Sequence, residues 1–133
     1  LHESLVMLHE EGLENAWQRH ATLHNKLVAG LEELGIEMAV DKACRLPQLN
    51  VVRIPDGVDD AEVRSRLLND FNLEIGAGLG AFAGKVWRIG LMGYSARMEN
   101  IRLLLSALAE AMQAQGYDCD AAAAIAAAEA AQG

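Results

Sequence analysis

Leu5, Leu8, Leu13, Trp17, Leu23, Leu27, Leu31 and Leu34 recur at spacings of three and four, with some slippage, across the first third of the chain. This is the mark of an amphipathic helix with one core face. Gly12 interrupts the stripe and either divides it into two helices or weakens one. Gly35 follows Leu34 where a left-handed C-terminal cap belongs. What lies beyond Gly35 changes period. Ile36–Val40 alternates as a short strand does. Leu49–Ile54 is a β-rich run stopped by the turn residues Pro55-Asp56-Gly57.

Asp59 and Glu62 form a D-x-x-E capping pattern, and Val63, Leu67, Leu68 and Phe71 supply the helical stripe behind it. Leu73-Glu74-Ile75 reads as a strand entering the glycine-rich loop Gly76–Gly84, and Val86–Leu91 reads as the next strand. A turn at Met92–Ser95, with Ser95 as the nearest N-cap, leads into a last helix from Arg97 to about Gln115, with Ile101, Leu104, Leu105, Leu108 and Met112 on one face. Four short strands beside helices, without continuous βαβ alternation, predict an α+β fold with a small, mostly antiparallel sheet packed with helices. Residues 1–116 form this domain. Residues 117–133 are nearly all alanine, with Ile125 the lone large aliphatic, and are expected to be a poorly ordered or loosely helical tail.

Composition narrows the function. The formal charge is −8, from 11 Lys plus Arg against 19 Asp plus Glu, and the bases are scattered. Nucleic acid is therefore excluded as a partner. No apolar run approaches the ~20 residues that span a bilayer, so no membrane partner is expected. Two cysteines, Cys44 and Cys119, make no disulfide framework and point to a reducing, cytoplasmic location. The chain opens on Leu1 with helix at full strength, as expected of a piece of a longer protein.

Most constellations with chemical potential are weak. Gly76-Ala77-Gly78-Leu79-Gly80-Ala81 has the letters of a dinucleotide fingerprint, but Val86 starts a strand where that motif needs a helix. His20 and His24 have i, i+4 metal spacing without a third ligand. Cys44, Cys119, Lys26, Lys42 and Lys85 lack the setting of a nucleophile or a Schiff-base lysine. No metal site and no catalytic residue is expected within this chain. Arg88 is the exception. It stands in the apolar strand Val86-Trp87-Arg88-Ile89-Gly90-Leu91, and Gly90, two residues on, leaves the same face clear. Arginine holds a carboxylate through two parallel N–H···O bonds. The competing reading is an internal ion pair or an arginine on a solvated sheet face.

Glu10-Glu11-Gly12-Leu13-Glu14, Trp17-Gln18-Arg19-His20, Arg45-Leu46-Pro47-Gln48-Leu49, Gly57-Val58-Asp59-Asp60, Leu73–Gly80 and above all Gly84–Arg97 occur in series. From about Leu1 to Gln115 this series resembles the C-terminal small domain of the alanine–glyoxylate and serine–glyoxylate aminotransferases, class V enzymes of fold-type I that depend on pyridoxal 5′-phosphate. The resemblance implies transfer of an amino group from alanine or serine to glyoxylate, giving glycine and a 2-oxo acid. It also implies a homodimer whose large N-terminal domain binds the cofactor and carries the Schiff-base lysine. No cofactor-binding residue is then expected in this chain, and the substrate-carboxylate arginine falls on Arg88. The alternatives are another donor within the family, such as ureidoglycine, and a non-catalytic α+β amino-acid-sensing or interaction module.

Overall fold

The computed structural model describes residues 1–132. Gly12 does divide the first helical segment. At φ 86° it ends α1 (His2–Glu11) and opens α2 (Leu13–Glu33). The break also resets the helical phase, and this changes which residues are core. Leu23, Leu27 and Leu31 of α2 are buried as the stripe predicts, with Ala16 and His20 before them. Leu5, Leu13 and Trp17, expected on that same face, are instead more than half exposed. α1 buries none of its residues.

The sheet has three strands, β1 (Leu49–Arg53), β2 (Gly76–Ala77) and β3 (Val86–Gly90), in the order β1-β3-β2, and both pairings are antiparallel. The fold is α+β, with one strand fewer than the alternation suggests. Ile36–Val40 runs beside β1 but contributes a single bridge, Met38 to Val52, flanked by hydrogen bonds from Arg53 to Glu37 and from Ala39 to Val51. Leu73–Ile75 is not strand. Asn72, left-handed at φ 51°, closes α3 (Asp60–Phe71), and the Leu73 N–H turns back to the Leu67 carbonyl. These residues are occupied by the helix exit, and pairing with β3 starts only at Gly76.

Trp87 and Ile89 of β3 and Val52 of β1 point into a core filled by Leu27, Leu31, Val63, Leu67 and, from α4 (Met98–Gln113), Leu105 and Leu108. Asp59 caps α3 as its pattern predicts, accepting the Glu62 N–H at 2.8 Å. Ser95 does not cap α4. It lies in a 3₁₀ turn, Gly93–Ser95, and α4 begins at Met98 without a side-chain cap.

Asp60, in the first turn of α3, accepts from the Trp87 indole at 2.9 Å and from Arg64 at 2.7 Å. The Arg64 guanidinium, with help from the indole, holds the Asp60 carboxyl below its ordinary range against the opposing effect of burial. A carboxyl whose folded pKa is lowered contributes its stability above the unfolded value, ~3.9, and loses it as pH falls through the folded value. Asp60→Asn should therefore cost about 1 kcal/mol at pH 7. Urea melts should show the gap to the parent closing below pH ~3.9. A gap of the same size at pH 7 and pH 2.5 would mean that the charge contributes nothing.

The largest departure lies at the C-terminal end. The alanine-rich segment, expected to be poorly ordered or loosely helical, forms α5 (Ala121–Ala130) packed on α2 and α4. The Asp120 side chain caps it by accepting the Ala122 and Ala123 N–H groups. The Lys26 ammonium donates to the Glu129 and Ala131 carbonyls at its other end, where the helix dipole favours a cation. Ala124 and Ala128 are fully buried. An apolar stripe was not required, because small residues let two backbones approach. A Cβ built on Gly30 of α2 would lie 3.1 Å from the Ala124 carbonyl oxygen and 2.4 Å from a Leu105 methyl. Among the described residues, no helix is long and apolar enough to cross a membrane.

Candidate functional site

Strand alternation settles where Arg88 goes. Trp87 and Ile89 take the core face, so Arg88 and Gly90 share the other. Across the sheet Arg88 pairs with Val51 of β1 and with Gly76 of β2. The half-buried guanidinium lies over Gly76, where a Cβ would stand 3.1 Å from Nη2 and 3.4 Å from Cζ. Its Nε donates to the Ala77 carbonyl at 2.8 Å, which fixes the plane of the group. The contacts just past β2 are also tight. A Cβ on Gly78 would fall 2.0 Å from the Phe82 carbonyl oxygen, so the loop that brings Ala77 to Arg88 closes only around a glycine.

No carboxylate of the described residues lies within 4.0 Å of Arg88; the ion pairs present are made by Arg19, Arg64, Arg66 and Arg102. The internal ion pair that would explain an arginine in an apolar strand is missing. What remains is a guanidinium with Nε engaged on Ala77 and Nη2 lying over Gly76, beside Val51 of the neighbouring strand.

The other residues singled out from sequence are placed apart. Lys26 is committed to the end of α5, while Lys42 and Lys85 are exposed on separate loops. Cys44 is exposed; burial, with Asp118 and Asp120 adding to it, pushes the Cys119 thiol up and away from a reactive thiolate. The loop Gly76–Gly84 holds β2 and a 3₁₀ turn, Gly80–Phe82, and β3 follows it directly. His20 and His24 do not converge. His24 Nδ1 meets Asn50 Oδ1 at 2.7 Å, whereas His20 turns the other way. Among the described residues, no three His, Cys, Asp or Glu side chains gather as a metal site requires.

Two groups escape sequence reasoning. Asn50 is fully buried in β1, and its amide is 3.5 Å from the carbonyl of Ile89, next to Arg88. Arg19 pairs bidentately with Glu11 through Nε and Nη2, while Nη1 donates to the carbonyls of Gly93 at 3.0 Å and Ala96 at 2.9 Å. A signal for Arg19 existed: it lies three residues after Ala16 and four before Leu23, the spacing of the core face of α2.

No protein-family model matches the chain. It is 42% identical over 108 residues to the (S)-ureidoglycine–glyoxylate transaminase of Bacillus subtilis, covering 81% of this chain and 26% of that protein. It is 45% identical over 114 residues to the alanine–glyoxylate aminotransferase of Callithrix jacchus, covering 85% of this chain and 28% of that protein. Among solved structures it superposes on the ureidoglycine–glyoxylate aminotransferase of Bacillus subtilis with TM-score 0.89 at 38% identity, over 92% of this chain and 32% of that one. For the pyridoxamine–pyruvate aminotransferase of Mesorhizobium loti the TM-score is 0.88 at 33% identity, over 95% and 32%. The chain thus spans between a quarter and a third of the length of the proteins it matches.

Proposed function

We propose, from the premise that this chain is the C-terminal domain of an aminotransferase, that the whole protein transfers an amino group to glyoxylate and that this domain binds the substrate's carboxylate through Arg88. The observation that carries the reading is the guanidinium without a carboxylate partner on an open strand face. With Nε held by Ala77, the Nη1/Nη2 edge is left to meet both oxygens of a carboxylate. Val51 and the glycines around it offer no competing charge, and a carboxylate brought there from water gains a planar two-point contact that lysine could not give. Clamping one end of an amino acid fixes the direction of its Cα–H bond, a contribution of orientation.

Pyridoxal phosphate is the electron sink that aminotransferases use, and the family resemblance puts its holders outside this chain. Lys26 is engaged with the end of α5, and Lys42 and Lys85 are exposed on the surface; in this reading the cofactor is held by the remainder of the polypeptide. The same remainder is the partner for Leu5, Leu13 and Trp17, which are exposed among the described residues although their helical spacing is that of a packed face. The homodimer that the family resemblance implies belongs to that assembled protein.

Alanine and serine are the donors this reading puts first. Ureidoglycine is the second, favoured by the ureidoglycine–glyoxylate enzymes among the relatives. The test is a product assay on the full-length protein with cofactor and glyoxylate, offering each donor in turn and measuring glycine. Glycine from alanine or serine is expected. Glycine from ureidoglycine alone would transfer the reading to the second donor, and none from any donor would reject it.

A further inference from the structure

We propose that Arg19, assisted by His20, is a positioning residue for Arg88: it ties α1 to the turn that leaves β3 and so holds the substrate-binding strand in place. This rests on the carboxylate-binding reading of Arg88. Gly93, three residues after the end of β3, has φ 58°, a left-handed conformation that suits glycine. That conformation directs both of its backbone groups at α2. Its N–H donates to His20 Nε2 at 3.0 Å, which leaves the ring proton on Nδ1, donated in turn to the Ala16 carbonyl at 2.6 Å. Its carbonyl accepts from Arg19 Nη1, and the same nitrogen reaches the Ala96 carbonyl at the far side of the turn.

Four of the five N–H donors of Arg19 are thereby used, two on the turn and two on Glu11. The Glu11 carboxyl is held below its ordinary range by the hydrogen bond from Arg19. Glu11 is the last residue of α1, the helix with no buried residue, for which the proposed function makes the rest of the polypeptide the partner. A single guanidinium therefore connects the helix facing the other domain to the exit of the strand that carries Arg88. Leu91 is fixed from the opposite side, where its N–H donates to the Gln48 carbonyl. With the Arg19 and His20 contacts removed, the exit of β3 would keep the Gln48 bond, the burial of Leu91 and Ala96, and the Asn100 bond to the Ser95 carbonyl. Gly93 would lose its ties to α2.

The test uses the full-length enzyme with Arg19→Lys and Arg19→Met, and reads steady-state kinetics, the thermal midpoint and amide hydrogen exchange over residues 91–97. Lysine keeps a cation beside Glu11 but cannot hold both carbonyls and the carboxylate at once. Both variants should exchange faster at 91–97 and raise KM for the amino donor roughly 10-fold, a misplacement effect, with kcat changed less than twofold. Methionine should be no better than lysine. An unchanged KM in a folded Arg19→Lys enzyme would overturn the proposal, as would losses in kcat and KM that merely follow the thermal midpoint. If Arg19→Met fails to fold, Arg19→Lys decides alone. Arg88→Ala in parallel separates the two readings. An unaffected Arg88→Ala means that the carboxylate assignment fails. An impaired Arg88→Ala beside a normal Arg19→Lys means that the positioning role alone fails.

Discussion

Replacing Arg88 by alanine in the full-length enzyme is expected to lower kcat/KM for amino and oxo acids by roughly 10²-fold or more. Hydrogen bonds to a charged group contribute about 1.5–3 kcal/mol, and the fork supplies two of them. At 1.4 kcal/mol per tenfold the loss reaches at least two orders of magnitude. Arg88→Lys should also be impaired, because it retains the charge and loses the planar pair. The fold should survive both changes: Arg88 is half-buried, sits outside the core and donates one internal hydrogen bond, to Ala77. A thermal melt checks this beside the kinetics. Near-native kcat/KM in a folded Arg88→Ala enzyme would make Arg88 a residue of the sheet surface and nothing more.

Ending the chain after Gly116 should cost about 2–4 kcal/mol. Without α5, the side of α2 around Gly30 and the fully buried Leu105 of α4 are opened to water, and the caps from Lys26 and Asp120 are lost. The figure follows from ~25 cal/mol per Å² over the apolar surface of two or three core residues. For a domain of this size it corresponds to a fall in thermal midpoint on the order of 10 °C. An unchanged midpoint would show that α5 rests on the domain without stabilising it.

That second effect is the reverse of what the alanine-rich composition suggests, and the reason is physical. Sequence patterns report large apolar side chains at regular spacing. α5 docks mainly through small side chains, with Ala124 meeting Gly30 and Ala128 fully buried, and such contacts leave no stripe of large residues to read. The placement of Arg88 was legible for the opposite reason. A period of two puts Trp87 and Ile89 on one side of β3 and Arg88 and Gly90 on the other, whatever the neighbouring strands do. The capping of α3 by Asp59 was legible because its donor is three residues away. Arg19 stood on the core-face spacing of α2, but its partners were not legible, since they are backbone carbonyls 74 and 77 residues distant, and a carbonyl carries no sequence signature. Ile36–Val40 alternates as a strand does, yet it makes a single bridge, because alternation describes the two faces of a segment and not the length of edge available for pairing.

The central claim, that Arg88 receives the substrate carboxylate, is tested most directly by inhibition with propionate, which is alanine without its amino group, and with propanamide, which lacks the charge as well. Inhibition constants are measured against alanine turnover in the parent full-length enzyme and in Arg88→Ala. Propionate should bind the parent at least ~10-fold more tightly than Arg88→Ala, as the loss of charged hydrogen bonds requires. Propanamide should scarcely distinguish the two. Equal propionate inhibition of both enzymes would contradict the account and place the carboxylate elsewhere.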